Sequence, residues 1–160
     1  MKRWPKVRAE IAERRWDIYH GLASFSKVDE MSGTDFERFI LEAYQLSGYE
    51  CEFTKGSGDF GIDILAQKNG ELKAIQVKRY KGKVGVAAVQ QASSGRIYYK
   101  ADNAVVVTNS VFTEAARELA RSNQVELVDK DSLFDICKLL GITCDVPNFS
   151  MSEYEKKRDR

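Results

Sequence analysis

The dipeptide Asn69-Gly70 lies between two runs of alternating apolar residues and constrains the fold more than any other pair in the chain. Both residues tolerate the positive φ angles of a two-residue hairpin loop, whose twist matches that of the strands it joins. With Asn69-Gly70 as the loop, Lys68 faces Glu71, Ile64 faces Ile75 and Asp63 faces Gln76. Counted outward from the loop, Asp63 and Gln76 fall on a non-hydrogen-bonded pair, with Cα atoms about 4.5 Å apart. Lys78 shares their face one diagonal step away, at about 7–8 Å. The hairpin therefore gathers a carboxylate, an amide and an ammonium at one end of one sheet face, and a slip of one residue would scatter them. The other face carries Ile62, Ile64, Ala66, Ile75 and Val77 and predicts a sheet that is covered on that side.

The remaining periodicities build a layered fold around this hairpin. Residues from Lys6 to about Ser24 read as a charged helix. Ser32 or Thr34 caps a second helix, with Phe36, Phe39, Ile40, Ala43 and Ser47 on one face and Gly48 as its stop. Tyr49 to Thr54 alternates as a strand, and Lys55 to Gly61 is a Gly-rich loop. Val84 to Tyr99 is helical, the run Ala104-Val105-Val106-Val107 reads as a buried central strand, and Thr113 opens another helix. A strand over Val125 to Val128 and a helix from Asp131 to Leu140, stopped by Gly141, complete the order α-β-β-β-α-β-α-β-α, counted from the second helix. This order predicts an α/β fold with a central mixed sheet flanked by helices on both faces. At 160 residues the chain is expected to hold one main domain with modest extensions.

A net charge of +1 conceals an uneven distribution. From Lys73 to Lys100 the charged residues are Lys73, Lys78, Arg79, Lys81, Lys83, Arg96 and Lys100, with no acid among them. Such a stripe suits a phosphate-binding surface; a solvated face is the plainer alternative. Cys51, Cys137 and Cys144 show no metal spacing and suit a reducing compartment. No apolar run is long enough for a membrane span, and an intracellular, cytoplasmic protein is expected. His20, the only histidine, lies in the N-terminal extension. This excludes zinc fingers with histidine ligands, a Ser-His-Asp triad around a core histidine and the histidine-dependent nuclease folds.

Asp63 and Gln76 offer hard oxygen ligands of the kind Mg²⁺ takes while keeping several waters, and the backbone carbonyl of Val77 is a further donor. Lys78 is a compact ammonium able to steer a water or steady a charged transition state. A structural Asp–Lys pair at a sheet end is the alternative. Asp59, between glycines, reads as a turn-former, with an auxiliary ligand role open. Glu37 shares a helix side with Ile40, Leu41 and Tyr44, where a carboxylate is costly unless paired or bound to a cation. It is either a second acidic ligand or a glutamate favoured by the helix dipole. Gln90 and Gln91 either touch a phosphate or position water, or simply form a solvated helix face. Thr108-Asn109-Ser110 ends a strand and precedes Thr113, where capping is the expected role and a ligand site, common at α/β strand ends, is the alternative.

Thr34-Asp35-Phe36-Glu37, Gly58-Asp59-Phe60-Gly61-Ile62-Asp63-Ile64, Gln76-Val77-Lys78-Arg79-Tyr80, Val89-Gln90, Tyr98-Tyr99 with Ala101, and Val107-Thr108-Asn109-Ser110 with Phe112-Thr113 occur in this order. Together they resemble the catalytic domain of Mrr-like restriction endonucleases, within the PD-(D/E)xK nuclease superfamily, over about residues 31–140. The resemblance implies a restriction-endonuclease-like core and a Mg²⁺-dependent DNA phosphodiesterase, with Mn²⁺ as a substitute. It implies Asp63 as the metal-binding acid, Gln76 at the (D/E) position, Lys78 as the lysine and Glu37 as the helix glutamate. Gln76 departs from the superfamily acid, a change that Mrr-like enzymes commonly show. Lys55, Arg79, Lys81, Lys83 and Gln90 are the expected DNA contacts, and cutting of both strands implies a homodimer. The expected organisation is a basic helical extension over 1–30, the nuclease domain over 31–141 and a polar tail over 142–160. Many relatives carry a separate DNA-recognition domain, whereas only about 30 residues precede the match here. A structure-specific nuclease, acting on DNA junctions or in repair, and a non-catalytic DNA-binding module are the competing expectations.

Overall fold

A computed structural model describes residues 31–54 and 60–139. The expected N-terminal helix with His20, the loop positions Lys55 and Asp59, Cys144 and the polar tail lie outside the described residues. The described chain runs α1 (Gly33–Leu46), β1 (Glu50–Phe53), β2 (Ile64–Lys68), β3 (Glu71–Lys78), α2 (Val86–Tyr98), β4 (Asn103–Thr108), α3 (Glu114–Asn123), β5 (Val125–Val128) and α4 (Lys130–Leu139). The sequence order of elements is reproduced, with helix and strand ends moved by a residue or two.

The five strands form one sheet in the order β1-β2-β3-β4-β5. The first three are antiparallel neighbours, and β3, β4 and β5 are parallel. Asn69 and Gly70 both take positive φ, 53° and 79°, as a two-residue loop of this hand requires. The hairpin holds the expected register, with Lys68 opposite Glu71 and Ile64 opposite Ile75.

Each sheet face carries its own core. Ile64, Ala66, Ile75, Val77, Val105 and Val107 meet Phe36, Phe39 and Ile40 of α1 and Leu133 of α4. Ala104, Val106 and Val125 meet Ala88, Val89 and Ala92 of α2 and Ala116 and Ala120 of α3. Because β4 is central and covered twice, its residues from Ala104 to Thr108 are all buried, which explains the unbroken apolar run. The small residues of α2 let that helix lie close to the sheet. Ser32 caps α1 by accepting from the Asp35 amide at 3.1 Å, and Gly48 follows the helix with φ 95°. No described helix is long and apolar enough to cross a membrane.

Candidate active site

The β2–β3 ladder stops at Ile64 opposite Ile75, one residue short of Asp63. The expected facing pair of Asp63 and Gln76 is therefore corrected. The Asp63 amide donates instead to the Ile75 carbonyl at 2.8 Å, and the Asp63 carbonyl accepts from Thr54 at 3.0 Å. The Thr54 hydroxyl fixes the preceding residue by donating to the Ile62 carbonyl at 2.6 Å. These bonds turn the chain out of the ladder, which would leave the Val77 amide on β3 without a strand partner. The Asp63 carboxylate takes that place: Oδ2 accepts from the Val77 N–H at 2.7 Å. The carboxylate thus sits in the hydrogen-bonding plane, at the peptide joining Gln76 to Val77. A strand residue sends its N–H and C=O to the same side, so the Val77 carbonyl also faces past the end of β2.

Gln76 is wholly buried (0% exposed) on the α2 side of the sheet. Its Nε2 donates to Gln91 Oε1 on α2 at 2.6 Å. Its Oε1 has no hydrogen-bond partner among the described residues. Leaving a buried acceptor unmet costs about 1–3 kcal/mol, and few native groups do so without a use. Gly61 lies against this amide with φ 75°, and a Cβ there would stand 2.7 Å from Gln76 Nε2.

Lys78 ends β3 opposite Thr108 and, by strand alternation, shares the Gln76 face. It is half-buried and makes no hydrogen bond or ion pair among the described residues. Glu37 stands on α1, over the opposite sheet face, and burial pushes its carboxyl above the ordinary range. It too makes no hydrogen bond or ion pair among the described residues. Asp63 and Val77 are thus brought together directly. Gln76 adjoins them through its peptide bond to Val77 while its side chain meets Gln91. Lys78 is the next residue along β3, and Glu37 is not bonded to them among the described residues.

Among the described residues there is no cluster of three or more His, Cys, Asp or Glu. The donors at the end of β3 are one carboxylate, one unpaired amide oxygen and one backbone carbonyl. This all-oxygen set suits a hard divalent cation that retains water, so the residues present fit Mg²⁺ or Mn²⁺.

The basic segment after β3 is strapped to the end of β4. Asn109 Oδ1 accepts from the Tyr80 amide at 2.7 Å, and Ser110 Oγ donates to the Gly82 carbonyl at 2.7 Å. Val84 bridges Phe112. Arg79 is half-buried, Lys81 and Lys83 are exposed, and all three stand at the carboxyl ends of two parallel strands, where α/β sheets bind ligands. The capping role expected of Thr108-Asn109-Ser110 is corrected: Thr113 caps α3, while Asn109 and Ser110 hold the strap. Gln90 is exposed; its neighbour Gln91 is the residue that meets Gln76. Lys73 leaves the basic stripe altogether, since it pairs with Glu126 at 3.3 Å. Beside the Asp63 loop, Phe60 (50% exposed) meets Tyr98 (58% exposed) with ring centroids 5.3 Å apart.

The sequence profile of the Mrr catalytic domain, described as a restriction endonuclease, matches residues 28–137. The chain is 33% identical over 140 residues to the type IV methyl-directed restriction enzyme EcoKMrr of Escherichia coli (strain K12). That alignment covers 79% of this chain and 46% of that enzyme, so the chain spans less than half of the relative's length. Among solved structures, a protein of unknown function designated AF1548 is similar with a TM-score of 0.57 and 15% identity, over 66% of this chain and 65% of that one. The DNA modification-dependent restriction endonuclease AspBHI is similar with a TM-score of 0.56 and 16% identity, over 88% of this chain and 37% of that one. At these identities the structural likeness is one of fold: a restriction-endonuclease-like α/β core.

Proposed function

Because the chain belongs to the Mrr catalytic-domain family of restriction endonucleases, we propose that it hydrolyses DNA phosphodiester bonds with a divalent cation, Mg²⁺ or in its place Mn²⁺. The observation that carries this reading is the buried Oε1 of Gln76, without a partner among the described residues, on the residue whose peptide bond to Val77 the Asp63 carboxylate engages. Asp63, Gln76 Oε1 and the Val77 carbonyl would hold the cation, with Glu37 acting through water. Burial raises the Glu37 carboxyl, and a cation nearby would oppose that shift. A bound divalent cation supplies Lewis-acid polarisation of the phosphate and makes water more acidic.

The chain's own groups do the rest. The Lys78 ammonium donates to the attacking water or to the phosphoryl oxygens and stabilises charge as it develops. Arg79, Lys81 and Lys83, with Lys55 and Gln90, grip the backbone through salt-dependent contacts that position the duplex without reading its sequence. One such site cuts one strand, so duplex cleavage takes a homodimer. A cytoplasmic location is part of the same proposal.

The test compares wild type with Asp63→Ala and Lys78→Ala on supercoiled plasmid in Mg²⁺, Mn²⁺ and EDTA. Wild type is expected to nick only with metal, and both variants to fail. Equal nicking by all three proteins would assign the cleavage to a contaminant. A four-way junction beside the plasmid separates the structure-specific alternative, which a preference for the junction by orders of magnitude would establish.

A further inference from the structure

We infer that Gln91 is a positioning residue for the cation site, holding the Gln76 amide so that its oxygen, and not its nitrogen, faces the cation. The inference rests on the divalent-cation reading above. A carboxylate presents two equivalent oxygens and needs no such help. A glutamine amide ends in an oxygen and an NH₂ of nearly equal shape, and turning it over would aim two N–H donors at the cation. Glutamine at position 76 therefore creates a need for a fixed acceptor that an acid at this position would not have.

The fold supplies that acceptor from one side and a clamp from the other. Gln91 Oε1 lies 2.6 Å from Gln76 Nε2, a short bond that accounts for the nitrogen and leaves Oε1 without a protein partner among the described residues. Gly61, in the loop leading to Asp63, closes over the same pair. A Cβ at Gly61 would stand 2.7 Å from Gln76 Nε2 and 3.0 Å from Gln91 Oε1. The backbone there also has φ 75°, a conformation glycine adopts without strain. Loop, strand and helix thus meet at one amide–amide contact, and the Gln76 side chain itself is fully buried.

The experiment titrates Mn²⁺ alone, without DNA, into the full chain by calorimetry, for wild type, Gln91→Ala, Gln91→Met, Gln91→Glu and Asp63→Ala. Thermal melts without metal accompany each titration. Loss of the acceptor in Gln91→Ala and Gln91→Met is expected to weaken Mn²⁺ binding about 10–100-fold, the effect of removing an outer-shell partner. Gln91→Glu keeps an acceptor for Nε2 and is expected to bind at least as tightly as wild type. Gln91→Met, close to glutamine in length, decides if Gln91→Ala melts early. Wild-type affinity in the alanine and methionine variants, or equal losses in Gln91→Glu and Gln91→Met, would overturn the inference. So would a wild type that binds no more tightly than Asp63→Ala. Should the binding losses appear while wild type leaves plasmid intact, the nuclease reading fails and the positioning role stands.

Discussion

Lys73 and Lys78 belong to one strand, about 16 Å apart at roughly 3.3 Å per residue, and the fold treats them in opposite ways. Lys73 is closed off. Its ammonium lies 3.3 Å from Glu126 and 5.5 Å from the centre of the Tyr49 ring. Burial pulls its pKa down, but Glu126 and Tyr49 more than reverse this and hold it above the ordinary value. Its neighbours are settled in the same way: burial pushes the Tyr44 phenol up, and burial pushes the Cys51 thiol up to about 11. At the other end, Lys78 has no partner among the described residues, and Gln76 keeps an unmet oxygen. A charge that serves only the fold is neutralised within the fold. On the proposed function, the charge left open is the one that meets the substrate, and the strand's two ends separate those cases.

The contrast breaks most sharply under mutation of the open end. Asp63→Ala and Lys78→Ala are each expected to slow plasmid nicking by at least about a hundredfold, while Lys73→Ala leaves the nicking rate unchanged. Gly61→Ala forces a Cβ into the amide pair at a positive φ and is expected to cost about 1–3 kcal/mol, read from the denaturant midpoint. It should lower nicking too. Gly70→Ala has the same backbone penalty but open space around it, so it should lower stability alone. Lys81→Ala and Lys83→Ala should each reduce the salt slope of DNA binding by about one, as measured by fluorescence anisotropy across a salt series.

The closed end gives smaller effects. Lys73→Ala should destabilise by about 0.2–1 kcal/mol. Because the folded-state pKa of Lys73 is raised, its contribution is complete below the ordinary value of 10.5 and fades as pH rises through the folded value. Wild-type and variant melts should therefore converge in strong alkali. At pH 9 iodoacetamide should label Cys51 readily in unfolded protein and slowly in folded protein, as peptide mass mapping would show.

The sequence made the hairpin register legible because a two-residue loop leaves no freedom in the pairing once the turn is known. The buried β4 was legible for a similar reason: a covered central strand has no polar alternation to confuse. That Asp63, Gln76, Val77 and Lys78 lie near one end of β3 was legible, but not how they are arranged there. Alternation continues smoothly through Asp63 and carries no mark of where the ladder ends, so the carboxylate's role at the Val77 amide was hidden. The choice between Gln90 and Gln91 was hidden as well. Small residues surround α2 on several sides, so apolar spacing does not fix its rotation. The separation of Lys73 from Lys78 follows from a parity difference along β3; treating the basic residues as one stripe passed over it.

The buckle formed by Asn109, Ser110 and Phe112 across Tyr80, Gly82 and Val84 has a thermodynamic consequence. A free cationic loop would lose its conformational entropy each time it met a polyanion, and affinity would fall by that amount. Here the backbone's share of that loss is taken once, when the chain folds, and an encounter with a polyanion would begin with the loop already set.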